Sequence, residues 1–106
     1  MNDRFYATLS LSMRAKKLLF GFDTVKEGIL SDRICLLFTA SDLSPKTVKE
    51  VVYLADKHHL PHLPLSKTME EIAGIIGKKT GVMGMADKGF ADKLMLIHNE
   101  TEESNI

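Results

Sequence analysis

The sequence predicts an α/β fold in which helices cover both faces of a small, mostly parallel sheet, forming a three-layer α/β/α sandwich. Three observations carry this. Short apolar runs at residues 34–39, 62–66 and 81–86 read as buried strands. Each is followed by a helix-start signal, and strands that alternate with helices need crossover connections, which favour parallel pairing. The chain has 106 residues, 44% of them hydrophobic and 26% charged, enough for one core and too few for a second folded domain.

The elements follow in order. Phe5, Leu9 and Met13 fall on one helical face after Asn2 or Asp3, and residues 18–22 suit a short extended segment. Asp23 has the position of a cap for a short helix reaching about Leu30, with Val25 and Ile29 inward. In the first strong strand, Ile34, Leu36, Leu37 and Phe38 surround Cys35, which predicts a buried core thiol. Ser44 then caps a helix with Pro45 at its first position, and Val48, Val51, Val52 and Ala55 recur at helical spacing. Pro61 stops it near His59. Thr68 and Glu71 form a capping box for the next helix, whose stripe is Met69, Ile72, Ala73 and Ile76 and whose stop is Gly77. Asp87 caps the last helix, with Phe90, Ala91, Leu94 and Met95 inward. Residues 1–98 thus form one domain, and residues 99–106, with Glu100, Glu102 and Glu103, read as a frayed acidic tail.

Composition narrows the function classes. No apolar run is long enough to span a membrane, and the N-terminus lacks the basic-then-apolar plan of a signal peptide, so a cytoplasmic protein without a membrane partner is expected. A single cysteine excludes an internal disulfide framework and any cysteine-rich metal site built by one chain. Fourteen Lys and Arg balance fourteen Asp and Glu, but residues 1–98 hold fourteen bases against eleven acids, a body of net +3 that is compatible with nucleic acid.

Chemistry-bearing motifs are weak. Gly74, Gly77, Lys78, Lys79 and Thr80 suggest a phosphate loop, yet two residues separate the glycines where four are needed, and the segment ends a helix instead of following a strand. His58, His59 and His62 cluster, but Pro61 separates them and the first two project about a hundred degrees apart on a helix, so no metal site is expected. No strand-to-helix elbow presents a serine between glycines, so no catalytic residues and no cofactor are assigned. The informative stretch is Arg14, Lys16 and Lys17, then Gly21, then Phe22, Asp23, Thr24, Val25 and Lys26. It sets three cations before a turn glycine and a helix N-terminus, where free backbone amides favour anions such as phosphate.

The order of these residues resembles the ribosomal protein L-seven-Ae family, including its small bacterial YlxQ-type members. The matching pieces are Arg14 Ala15 Lys16 Lys17 Leu18, Gly21, the strand at 34–40 ending in Ser41 Asp42, Ile72 Ala73 Gly74 Ile75 Ile76 Gly77, and Asp87 Lys88 Gly89 Phe90 Ala91 Asp92 Lys93 Leu94. The resemblance implies a four-stranded mixed sheet and binding of structured RNA, ribosomal or other, at kinked stems called kink-turns. It also implies a non-catalytic role. In RNA-binding members the helix after the glycine carries a small residue, then Asn or Asp, often Glu, and a Lys six positions after the glycine. Here those positions hold Phe22, Asp23, Thr24 and Glu27, and Ser41 stands where Glu often precedes Asp42. A second RNA loop of the family, largely apolar in strong binders, begins here with Lys78 and Lys79.

The expected RNA surface therefore comprises Arg14, Lys16, Lys17, Gly21, Phe22, Asp23, Thr24, Lys26, Glu27, Lys78 and Lys79. The departures keep a second expectation open, a family scaffold that has lost kink-turn recognition and uses Phe22 as an exposed apolar anchor for a protein partner.

Overall fold

The computed structural model describes residues 3–104, and the side chains of residues 4–100. Five helices and four strands follow one another as α1 (Asp3–Arg14), β1 (Leu18–Phe20), α2 (Phe22–Leu30), β2 (Leu36–Thr39), α3 (Pro45–Lys57), β3 (His62–Pro64), α4 (Met69–Ile76), β4 (Val82–Met85) and α5 (Lys88–Ser104). Residues 105 and 106 of the expected acidic tail lie outside the described residues.

Alternation along the strands divides the core into two layers. Leu36 and Phe38 of β2 with Met83 and Met85 of β4 face α1, α4 and α5, where they meet Phe5, Leu9, Ile72, Leu94 and Ile97. Leu37 of β2 and Val82 of β4 face the other way, against Val25 and Ile29 of α2 and Val51, Leu54 and Ala55 of α3. The expected sandwich is thus present, three helices on one face of the sheet and two on the other. Gly84 lets α2 come close: a Cβ there would stand 2.8 Å from Ile34 Cδ1 and 3.2 Å from Val25 Cγ1.

The sheet order is β1-β4-β2-β3. β2 pairs parallel with β3, while β4 runs antiparallel to both β1 and β2. The sheet is mixed, as the resemblance implies, but most of its pairing is not parallel, contrary to the alternation argument. The reason is α4. It starts at the end of the sheet where β3 finishes, and the loop that follows its Gly77 cap brings the chain back to that same end. Its first amide meets Asp42 beyond β2, and the chain re-enters where Ala40 N–H donates to the Gly81 carbonyl at 2.9 Å. β4 therefore begins where β3 finished.

Four local expectations are corrected. Helix α2 opens one residue earlier than the Asp23 cap requires: Gly21 is the N-cap, with φ +94°, a value that glycine adopts without a Cβ penalty, and Asp23 sits in the first turn. Cys35 is partly exposed, because it precedes β2 at the sheet's entry edge, although its N–H donates to the Met85 carbonyl. Val52 is exposed and Leu54 buried, since the stripe of α3 centres on Val51, Leu54 and Ala55. The polar stretch from Asn99, expected to fray, continues α5 as helix to Ser104. Each added residue there gains a backbone bond on a helix already docked through Leu94 and Ile97, and Glu100 pairs with Arg4 at 3.2 Å.

Candidate functional site

The topology gathers three helix N-termini at one end of the sheet. β1, β2 and β3 all finish there, so the helices that follow them, α2, α3 and α4, begin there. Each N-terminus leaves backbone amides without intrahelical partners and carries a partial positive charge. In α3 the Ser44 hydroxyl accepts from Thr47 N–H at 3.3 Å. In α4 the Thr68 hydroxyl accepts from Glu71 N–H at 3.2 Å, Glu71 Oε1 accepts from Thr68 N–H at 2.9 Å, and Asp42 Oδ1 accepts from Met69 N–H at 2.9 Å. Hydrogen bonding to the carboxylate, from the Thr68 backbone N–H first and then from the Thr68 side chain, favours its charged form and holds Glu71 below its ordinary pKa.

Helix α2 differs, because among the described residues no side chain caps it. Gly21 N–H donates to the Val82 carbonyl at 2.9 Å, which ties the turn to β4 and aims the first amides of α2 outward. Chemically the turn offers backbone donors and a partial positive charge, the features that suit an anion.

The α4–β4 loop borders it. Lys78 Nζ stands 5.7 Å from the ring centre of Phe20, the residue just before Gly21. Lys79 Nζ pairs with Glu70 Oε1 at 2.8 Å, and that contact raises the lysine's pKa above its ordinary value. Both partners are more than half exposed, so the pair is exchangeable with another anion.

The structure thus brings Gly21, Phe22, Asp23, Thr24, Lys78 and Lys79 to one end of the sheet. Arg14, Lys16 and Lys17 are not there: they lie before β1, at its other end, where the Lys17 carbonyl accepts from Ala86 N–H. β1 is an edge strand, so its two ends carry two separate basic groups. On α2, Val25, Gly28 and Ile29 face the sheet, which leaves Asp23 and Glu27, four residues apart, together on the outward face. Lys26 turns instead toward α3. Phe22 is half-buried against the α2/α3 core and not the exposed anchor expected of it, because the first turn of α2 rolls its ring inward.

Four residues take roles that the sequence reading does not give them. Glu70 neutralises Lys79 across a loop, Asp42 reaches α4 over 27 residues, and Tyr53 with Lys49 joins Phe22 and Lys26 around a groove between α3 and α2. Tyr53 leaves a trace in the sequence, as an aromatic residue outside the apolar stripe of its helix, and Asp42 does so as part of the strand-end match.

The histidines form no metal-binding group among the described residues. His62 Nε2 instead lies 2.8 Å from Thr39 Oγ1, with burial lowering its pKa. No described helix is long and apolar enough to cross a membrane.

Comparison with known proteins agrees with this architecture. An RNA-binding protein YlxQ of Enterococcus faecium is 34% identical over 85 residues, covering 80% of this chain and 82% of that protein. One of Bacillus subtilis (strain 168) with the same description is 31% identical over 98 residues, covering 88% and 93%. A solved structure of a protein with unknown function from Bacillus halodurans C superposes with a TM-score of 0.84 at 25% identity, covering 90% of this chain and 96% of the other. The family model described as ribosomal protein L7Ae/L30e/S12e/Gadd45 matches residues 3–96, and with the sandwich and the strand-to-helix turn already in place, the chain belongs to that family.

Proposed function

We propose that this protein is a non-catalytic, cytoplasmic RNA-binding protein that docks on structured RNA, with a kinked stem as its preferred form. The observation that carries this is the contrast among the three helix N-termini: α3 and α4 are capped by side chains, while α2, among the described residues, presents its first amides uncapped at the end of the sheet where the Lys78–Lys79 loop enters β4. A phosphate is the anion that RNA offers to such donors. Asp23 at the rim is an acceptor for base amino groups, and Arg14, Lys16 and Lys17 engage a backbone that runs along the β1 edge to its other end. The family and the description of its two relatives as RNA-binding support the same partner.

The test is a salt titration of binding to a kink-turn stem and to a matched straight duplex. The kinked stem should bind more tightly, and Lys79→Ala should reduce the salt slope by about one unit. Equal, weak binding of both would leave only electrostatic attraction. No binding even at low salt would select the second reading, a scaffold turned to a protein partner, whose one favourable observation is the apolar groove beside Phe22.

A further inference from the structure

The groove between α2 and α3 has a volume of about 280 Å³ and is lined by Phe22, Lys26, Lys49, Glu50, Tyr53 and Leu54. Its floor is apolar, since Leu54 belongs to the core and Phe22 packs half-buried on the same cluster. Tyr53 forms a wall and is 63% exposed, the most exposed large hydrophobic side chain among the described residues. Lys57 Nζ stands 5.9 Å from the centre of its ring, and Lys26 and Lys49 make no ion pair among the described residues.

This combination discriminates between occupants. An apolar protein segment would fill the floor but cover Lys26 and Lys49 without countercharge, which is costly. A nucleotide satisfies both features: its base offers a flat face to the tyrosine ring, and its phosphates meet the ammonium groups. Glu50, the single carboxylate of the lining, accepts from a base amino group. Phe22 links the groove to the anion site, because it opens α2 and lines the groove at once.

We infer that the groove is a base-binding subsite: one unpaired nucleotide of an RNA held at the α2 N-terminus stacks on Tyr53, with its flanking phosphates on Lys26 and Lys49. This rests on the RNA-binding reading above and adds to it a second point of contact on α3.

The experiment uses a kink-turn stem whose unpaired nucleotides are replaced one at a time by 2-aminopurine or by an abasic unit. At one position, 2-aminopurine fluorescence should be quenched on binding, and the abasic stem should bind about tenfold more weakly. Tyr53→Ala should abolish that quenching and bring the intact stem to the abasic affinity without further weakening the abasic stem, while Tyr53→Phe keeps both effects. Tyr53 is exposed, so these variants leave the core untouched. If the stem binds but Tyr53→Ala changes neither quenching nor affinity, or weakens intact and abasic stems alike, the subsite is refuted while RNA binding stands, and a protein occupant takes its place. If no stem binds at all, both readings fall together.

Discussion

At the residue scale, charge on the outward face of α2 is the sharpest departure from an RNA-binding surface. Asp23 and Glu27 stand one turn apart, so two carboxylates look out beside the amides that attract phosphate. A carboxylate facing phosphate is repelled and loses hydration, whereas a lysine there is attracted and donates hydrogen bonds. Glu27→Lys should therefore tighten binding of a kink-turn stem by about 1 kcal/mol at low salt, with the circular dichroism spectrum unchanged because the site is exposed. A titration that shows no gain in a folded variant would place Glu27 outside the RNA footprint.

At the element scale, the three helices that start at one end of the sheet differ in how they are capped. Helix α4 closes its N-terminus with Thr68, Glu71 and Asp42 and so contributes stability, while no side chain among the described residues caps α2. Thr68→Ala removes one cap acceptor and should lower unfolding free energy by about 1 kcal/mol in denaturant titration. Because the pKa of Glu71 is depressed in the fold, its bonds contribute above the ordinary carboxylate pKa, and the contribution is lost as pH falls through the depressed value. An unchanged midpoint in Thr68→Ala would show that Asp42 and the Glu71 carboxylate suffice to hold the start of α4. The capping box and Ser44 are legible in the sequence because a cap is a local bond between residues three apart. The Asp42 contact is not, since only the sheet brings residues 27 positions apart together.

At the scale of the whole molecule, His62 couples the sheet edge to pH. Burial lowers its pKa, so the folded state disfavours the protonated ring, while the unfolded chain takes up a proton near pH 6.5. The unfolded state binds more protons in the window between the lowered value and about 6.5, so stability should fall as pH drops through it. His62→Gln should flatten that dependence in denaturant titrations at a series of pH values. Parallel curves for the two proteins would assign the acid sensitivity elsewhere.

The order of residues alone was enough to predict most of the elements, the caps of α3, α4 and α5, the two-sided covering of the sheet and a turn at Gly21. Those features rest on hydrophobic period and on bonds between near neighbours, which the order of residues encodes directly. The direction of β4 emerges from the fold itself, because the chain after α4 returns to the end of the sheet where β3 finishes, and the lengths of helix and loop fix a reach and not a destination. The tertiary structure likewise separated Arg14, Lys16 and Lys17 from Lys78 and Lys79, paired Lys79 with Glu70, and set Tyr53 beside Phe22 across two helices. Such juxtapositions depend on how helices pack over a shared sheet, and packing is a property of the assembled core that no single segment contains.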